Sequence, residues 1–150
     1  IDIGPMPPPS VDLGSGKTAL SITVGSWHTC ALLNDFSVKC WGLNTFGQLG
    51  YGDTTNRGFA GSMGDALPAI NLALAPGESV TSVVAGNGGS EFFAGEGTHT
   101  CALMNTGRVK CWGHNDKGQL GLGDQVNRGK VTNQMGSKLP YVLLPALPAP

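Results

Sequence analysis

One block of residues is written twice at a fixed spacing, and that recurrence restricts the chain to repeat architectures. His28-Thr29-Cys30-Ala31-Leu32, Val38-Lys39-Cys40-Trp41-Gly42, Gly47-Gln48-Leu49-Gly50 and Asn56-Arg57-Gly58 all return 71 positions later, from His99 to Gly129. A repeat unit of this length is one supersecondary structure that cannot bury its apolar face alone, so neighbouring units must stack. Pro9-Ser10-Val11-Asp12-Leu13 is similar to Pro68-Ala69-Ile70-Asn71-Leu72, and Pro140-Tyr141-Val142-Leu143-Leu144 is a further echo. The expected division is therefore a Pro-rich lead-in carrying the end of a preceding repeat (1–20), repeats at 21–72 and 73–144, and a Pro-rich tail at 145–150.

Charged residues form 13% of the chain, about half the usual share, while 24 glycines and 10 prolines are present. This balance suits short strands joined by tight turns. Ser21–Gly25, His28–Leu33, Val38–Trp41 and Leu67–Leu72 read as strands, bounded by glycine, proline and turn residues. The expected fold is all-β: two propeller blades of four short antiparallel strands each, part of a larger propeller or blade assembly. The second repeat restarts at Ser82-Val83-Val84-Ala85-Gly86 and then carries an insertion at 87–96, which should form a loop on one face. The net charge of -1 supplies no electrostatic footprint for nucleic acid or anionic lipid. No apolar run approaches the roughly 20 residues that span a bilayer. Starting at Ile1, the chain reads as a processed protein or an excerpt, so a missing signal peptide says nothing about secretion. Gly14-Ser15-Gly16-Lys17-Thr18 imitates the end of a phosphate loop, but Val11 stands where that motif requires glycine; a turn is expected.

Cys30 and Cys40 share their spacing with Cys101 and Cys111. In the second repeat a three-residue turn, Asn105-Thr106-Gly107, places Leu103 opposite Val109 and Cys101 opposite Cys111, within disulfide reach. The first repeat has Phe36 at the position of Gly107, so its turn should be strained or differently shaped; Cys30–Cys40 is expected on the strength of the repeat. Paired cysteines indicate an oxidising compartment. Free buried thiols and a metal site built on His28, Cys30 and Cys40 are the rival readings, the latter lacking the four ligands and close spacing of structural zinc.

The pattern His-x-Cys-Ala-Leu, Val-Lys-Cys-Trp-Gly, Asn-x-x-Gly-Gln-Leu-Gly-x-Gly-Asp closely resembles the repeat of the regulator of chromosome condensation family, over residues 21–72 and 82–144. The resemblance implies a β-propeller, usually of about seven blades. It also implies that Trp41 and Trp112 supply apolar area between blades, each with an indole N–H needing a partner. Asp53 with Arg57, and Asp124 with Arg128, are expected to lock the connecting loops; His28 and His99 are expected to be structural. The family's nucleotide exchange on a nuclear GTPase is not implied here, because no basic tail is present. The paired cysteines fit the disulfide-bearing branch found in secreted or surface proteins of algae and bacteria.

The expected function is a non-enzymatic extracellular or cell-surface scaffold, such as a filament or surface-layer subunit. Its partners would be copies of itself or further blades. The alternative is a protein- or glycan-binding module using Glu91, Phe92, Phe93 and Glu96 of the insertion, although both phenylalanines also suit packing against a neighbouring blade. No catalytic constellation, cofactor or metal is expected, since Asp35, Glu78 and Asp116 belong to turns and are not paired. No Asn-x-Ser/Thr sequon occurs; Pro7, Pro8, Pro9 and Ser10 are candidates for hydroxyproline- or serine-linked glycan.

Overall fold

The structure, a computed structural model, describes residues 10–59, 61–87 and 98–145. Two antiparallel sheets follow one another along the chain. Strands β1 (Ala19–Val24), β2 (His28–Leu33) and β3 (Val38–Gly42) form the first. Strands β4 (Val80–Ala85), β5 (His99–Met104) and β6 (Val109–Gly113) form the second. The registers are the same in both. Thr29 faces Trp41 and Cys30 faces Cys40, as Thr100 faces Trp112 and Cys101 faces Cys111. The remainder is loop and short 3-10 turns, and no helix among the described residues is long and apolar enough to cross a membrane.

The fourth segment of each blade departs from expectation. Residues 67–72 lie along β3, but only the Ile70 N–H donates to it, at the Val38 carbonyl (2.8 Å). In the second blade the same place is held by a single bridge between Val142 and Val109. Each sheet is therefore three-stranded. Pro68 and Pro140 have no N–H to give a ladder, and after Ile70 the chain leaves for the second blade, where Lys110 takes the Leu72 carbonyl, which ends the pairing of the first segment early.

The β2–β3 turn is also instructive. Phe36 adopts φ 64° and Gly107 adopts φ 79°, so the two turns have the same shape. The first blade keeps the hairpin geometry and accepts left-handed strain at a residue with a Cβ. The Gly14–Thr18 stretch is a turn, with the Ser15 N–H and hydroxyl both donating to Asp65 (2.8 and 2.6 Å) and the Lys17 ammonium donating to Asp35.

The core lies between the blades. Alternation sends Cys30, Leu32, Val38 and Cys40 of the first sheet toward the second, which answers with Val83, Ala102, Met104 and Trp112. Leu49, Ile70 and Leu72, from the connecting segments, close its rim.

Candidate functional site

The joint between the blades is built by the residues that the repeat preserves. Trp112 is fully buried, and its indole N–H donates to the Gln48 carbonyl at 3.0 Å. The same carbonyl accepts from the Thr100 hydroxyl (2.9 Å), and that hydroxyl lies 2.9 Å from Nε2 of His28. The Gln48 side-chain amide, also fully buried, donates to Thr98 at 3.1 Å. A Cβ on Gly50 would stand 2.6 Å from the Trp112 indole nitrogen, so only glycine lets the loop slide under that ring. Burial lowers the His28 imidazole from its ordinary 6.5 to about 4, and repulsion from His99 adds to the effect. His28 is thus a neutral hydrogen-bonding group at neutral pH. Its role is structural.

Behind the joint, each loop is locked by a buried asparagine. Asn44 donates to the carbonyl and carboxylate of Asp53 (2.9 and 3.0 Å) and accepts the Leu49 N–H; Asn115 repeats this with Asp124 and Leu120. Asp53 is held by a two-pronged pairing with Arg57 (2.9 and 2.7 Å), which keeps its carboxyl below the usual range. In the second loop the Val126 N–H, followed by Arg128, does the same for Asp124. The expected loop-locking pairs are therefore in place.

Sequence reasoning missed the lysines of the third strand of each blade, Lys39 on β3 and Lys110 on β6. A lysine on β3 reads as a solvated position, yet Lys39 and Lys110 are buried. Lys39 donates to the carbonyls of Leu13 (2.8 Å) and Gly64 (2.9 Å), and Lys110 to those of Leu72 (2.6 Å) and Gly136 (3.1 Å). Each ammonium thereby clamps the segment entering its blade. Their recurrence within Val-Lys-Cys-Trp-Gly was the available signal. A second cluster anchors the linker: Glu78 accepts from Arg108 (2.9 Å twice), Tyr141 (2.6 Å) and Thr106 (2.6 Å). Burial would raise its carboxyl, but these donors outweigh it and hold the group down at about 2.

All four cysteines are consumed in two disulfides, Cys30–Cys40 and Cys101–Cys111, each with Cα atoms 4.1 Å apart. No thiol is left to act as nucleophile or metal ligand. Glu91, Phe92, Phe93 and Glu96, and Pro7, Pro8 and Pro9, lie outside the described residues. Ser10 is exposed.

The two blades present unequal surroundings to equivalent residues. Val83 and Ala85 of β4 are each 7% exposed against the first blade, whereas Ile22 and Val24, their counterparts on β1, are each 62% exposed. Trp41, the counterpart of Trp112, is only half-buried and borders a groove lined by Val11, Phe59 and Met63. At the other end, Val84 and Leu103 of the second blade are exposed. The blade pair thus carries one open apolar face at each end, and the two faces are the separated halves of the joint seen between the blades.

The profile described as the regulator of chromosome condensation (RCC1) repeat matches residues 20–48 and 92–119, and a second profile of the same description matches 106–144. The human probable E3 ubiquitin-protein ligase HERC3 is 35% identical over 112 residues, 75% of this chain and 9% of that protein. The ultraviolet-B receptor UVR8 of Arabidopsis thaliana is 32% identical over 124 residues, 81% of this chain and 24% of the receptor. The chain therefore spans a quarter or less of these relatives. Among solved structures, human WBSCR16 superposes with a TM-score of 0.54 at 19% identity, over 92% of this chain and 29% of that one, a likeness of fold. Prp20p from Saccharomyces cerevisiae, described with its binding to Gsp1p and histones, gives 0.50 at 26% identity over 74% of this chain and 24% of that one. With its repeated hairpin, its buried blade-joint tryptophan and these matches, the chain belongs to the regulator of chromosome condensation repeat family.

Proposed function

We propose that the chain is a non-enzymatic structural segment of an extracellular or cell-surface assembly, in which its two blades pack face to face with further blades. The unequal burial of Trp41 and Trp112 carries this reading. One ring sits in a finished joint, and its twin waits at an open face of the same chemistry. Exposed apolar faces of this kind mark interaction surfaces in soluble proteins. The binding of Prp20p to Gsp1p and histones supports a protein-binding role for the repeat. Two disulfides in so small a chain favour an oxidising compartment.

The test is made on native material. Imaging by electron microscopy should show a multi-blade particle or a continuous fibre, recovered from the cell surface or medium with both disulfides closed in non-reducing peptide maps. Isolated two-blade beads, or an intracellular pool with free thiols, would sink the proposal.

A further inference from the structure

One hydrogen bond across the blade joint admits a single arrangement of protons. The Gln48 carbonyl can only accept, and it takes both the Trp112 indole N–H at 3.0 Å and the Thr100 hydroxyl at 2.9 Å. Thr100 has then spent its one proton, so the hydrogen between it and Nε2 of His28, 2.9 Å away, must come from the histidine. The neutral ring therefore carries its proton on Nε2 and leaves Nδ1 bare. Nδ1 is buried and has no hydrogen-bond partner among the described residues. It lies against the backbone of Gly25, where a Cβ would stand 2.7 Å from Nδ1 and 2.5 Å from the neighbouring ring carbon.

A second proton can enter only at Nδ1, and the groups packed there do not receive it. From β5, Thr100 offers a hydroxyl already engaged, and His99 offers repulsion, the one influence of a titratable group on this ring among the described residues. The loop after β3 offers Gln48, whose carbonyl and amide are both neutral and both committed to blade two. Gly25 after β1, Gly42 at the end of β3 and Gly86 after β4 bring only backbone to this place. An imidazolium here is a buried charge with an N–H pointing at carbon, so the closed joint disfavours it. The same ring supplies a hydrogen bond that ties blade one to blade two.

We propose that His28 is an acid-operated latch of the blade joint. A proton on Nδ1 drives the ring out from beside Thr100, and the Gln48 loop releases the Trp112 indole, while the disulfide-closed hairpins of both blades keep their pairing. The latch lies wholly within these two blades, so it stands whether or not further blades stack on them. Opening returns the ring to its ordinary value of 6.5 from the about 4 of the closed joint. The neutral ring belongs to the closed form, so acid favours the open one. Its population rises about tenfold for each pH unit between about 6.5 and about 4, about 300-fold in all. The joint is tight at neutral pH and loosens in acid.

Hydrogen exchange of the Trp112 indole N–H in the full chain tests the latch. It is followed by NMR at several pH values between neutrality and the lower end of that window, as protection relative to a free indole. Protection should fall about tenfold per pH unit below about 6.5, and stay lower throughout than that of the β5 and β6 backbone amides. His28→Gln, whose amide can still donate to Thr100 and gains no proton, should show level protection. Level protection in the unaltered chain overturns the proposal, as does a fall that persists in His28→Gln. An indole protected as well as the strand amides overturns it too, because the joint then opens only when the blades unfold. Should His28→Gln fail to fold, the imidazole nitrogen resonances of the unaltered chain decide. A proton on Nε2 at neutral pH and a titration midpoint well below 6.5 are expected, whereas a proton on Nδ1 or an ordinary midpoint overturns the latch.

Discussion

At the scale of single residues, the repeat supplies its own controls. Trp112 and Trp41 have the same neighbours in sequence and different neighbours in space, so the energy of the joint is the difference between them. Truncating a fully buried tryptophan leaves a cavity and takes from the Gln48 carbonyl one of its two donors, the Thr100 hydroxyl remaining; Trp112→Ala should cost about 3–5 kcal/mol. Trp41→Ala, at a half-buried ring, should cost about 1–2 kcal/mol. Urea denaturation of both variants measures the gap, and equal losses would show that the joint is not where the stability lies. His28 gives the residue-scale pH dependence. Its imidazole is buried, and Nδ1 has no hydrogen-bond partner among the described residues. Because the folded pKa lies below the unfolded one, the neutral form is the one the fold prefers. Stability from this group is complete above pH 6.5 and drains away as the pH falls from about 6.5 to about 4, by about 3 kcal/mol in all. The carboxylates of Asp53, held down by Arg57, and of Glu78, held down by Thr106, Tyr141 and Arg108, add their own losses only as the pH falls below about 4.5. Denaturation midpoints should therefore fall between pH 6.5 and 4.5 in the unaltered chain and stay level in His28→Gln.

At the scale of elements, the hairpin was legible because its constraints are local. Turn length sets the register, register sets which residues oppose, and Cys101 falls opposite Cys111 without any knowledge of the rest. What the sequence hid were features set by the neighbouring blade. Lys39 and Lys110 look solvated until a following or preceding segment brings carbonyls to their ammonium groups. The stretch 67–72 has the composition of a strand, but its backbone is claimed by two blades in succession and pairs fully with neither. The two disulfides differ for the same reason. Each closes a ten-residue separation, worth somewhat under ~3 kcal/mol in the chain-entropy model. Cys30 and Cys40 are wholly buried in the shared core, whereas Cys101 faces the open end. Replacing Cys101 and Cys111 by serine should cost about 2–3 kcal/mol. Replacing Cys30 and Cys40 should cost more by about 1–3 kcal/mol, because two hydroxyls are then placed in an apolar core without partners. Guanidinium unfolding of the two double variants, with masses confirming the remaining bridge, separates the two contributions.

At the scale of the whole molecule, two blades are an incomplete object, and the incompleteness has a direction. The first blade lacks something over Trp41, and the second lacks a ring over its Gly118–Gly121 loop. A pair of glycines distinguishes a joint that is already made from one still open. Gly50 and Gly121 are equivalent and both have positive φ, so alanine brings similar backbone strain to each, about 1 kcal/mol. Their surroundings differ. A Cβ at Gly50 meets the indole nitrogen of Trp112 at 2.6 Å, whereas at Gly121 the nearest atom is a Val142 methyl at 3.1 Å. Gly50→Ala should therefore separate the blades, lowering stability by about 3 kcal/mol or more and exposing Trp112 to quenchers. Gly121→Ala should leave the single chain within about 1–2 kcal/mol of its parent, since the small overlap can be relieved by the side chain. Its effect belongs to the assembly: in a joint built like the internal one, that methyl would strike Trp41 of the next copy as the Gly50 methyl strikes Trp112. Association measured by sedimentation should fall sharply for Gly121→Ala while its unfolding curve barely moves. The reverse result, a variant that associates normally, would mean that the open face takes up its partner in some geometry other than the one the chain already contains.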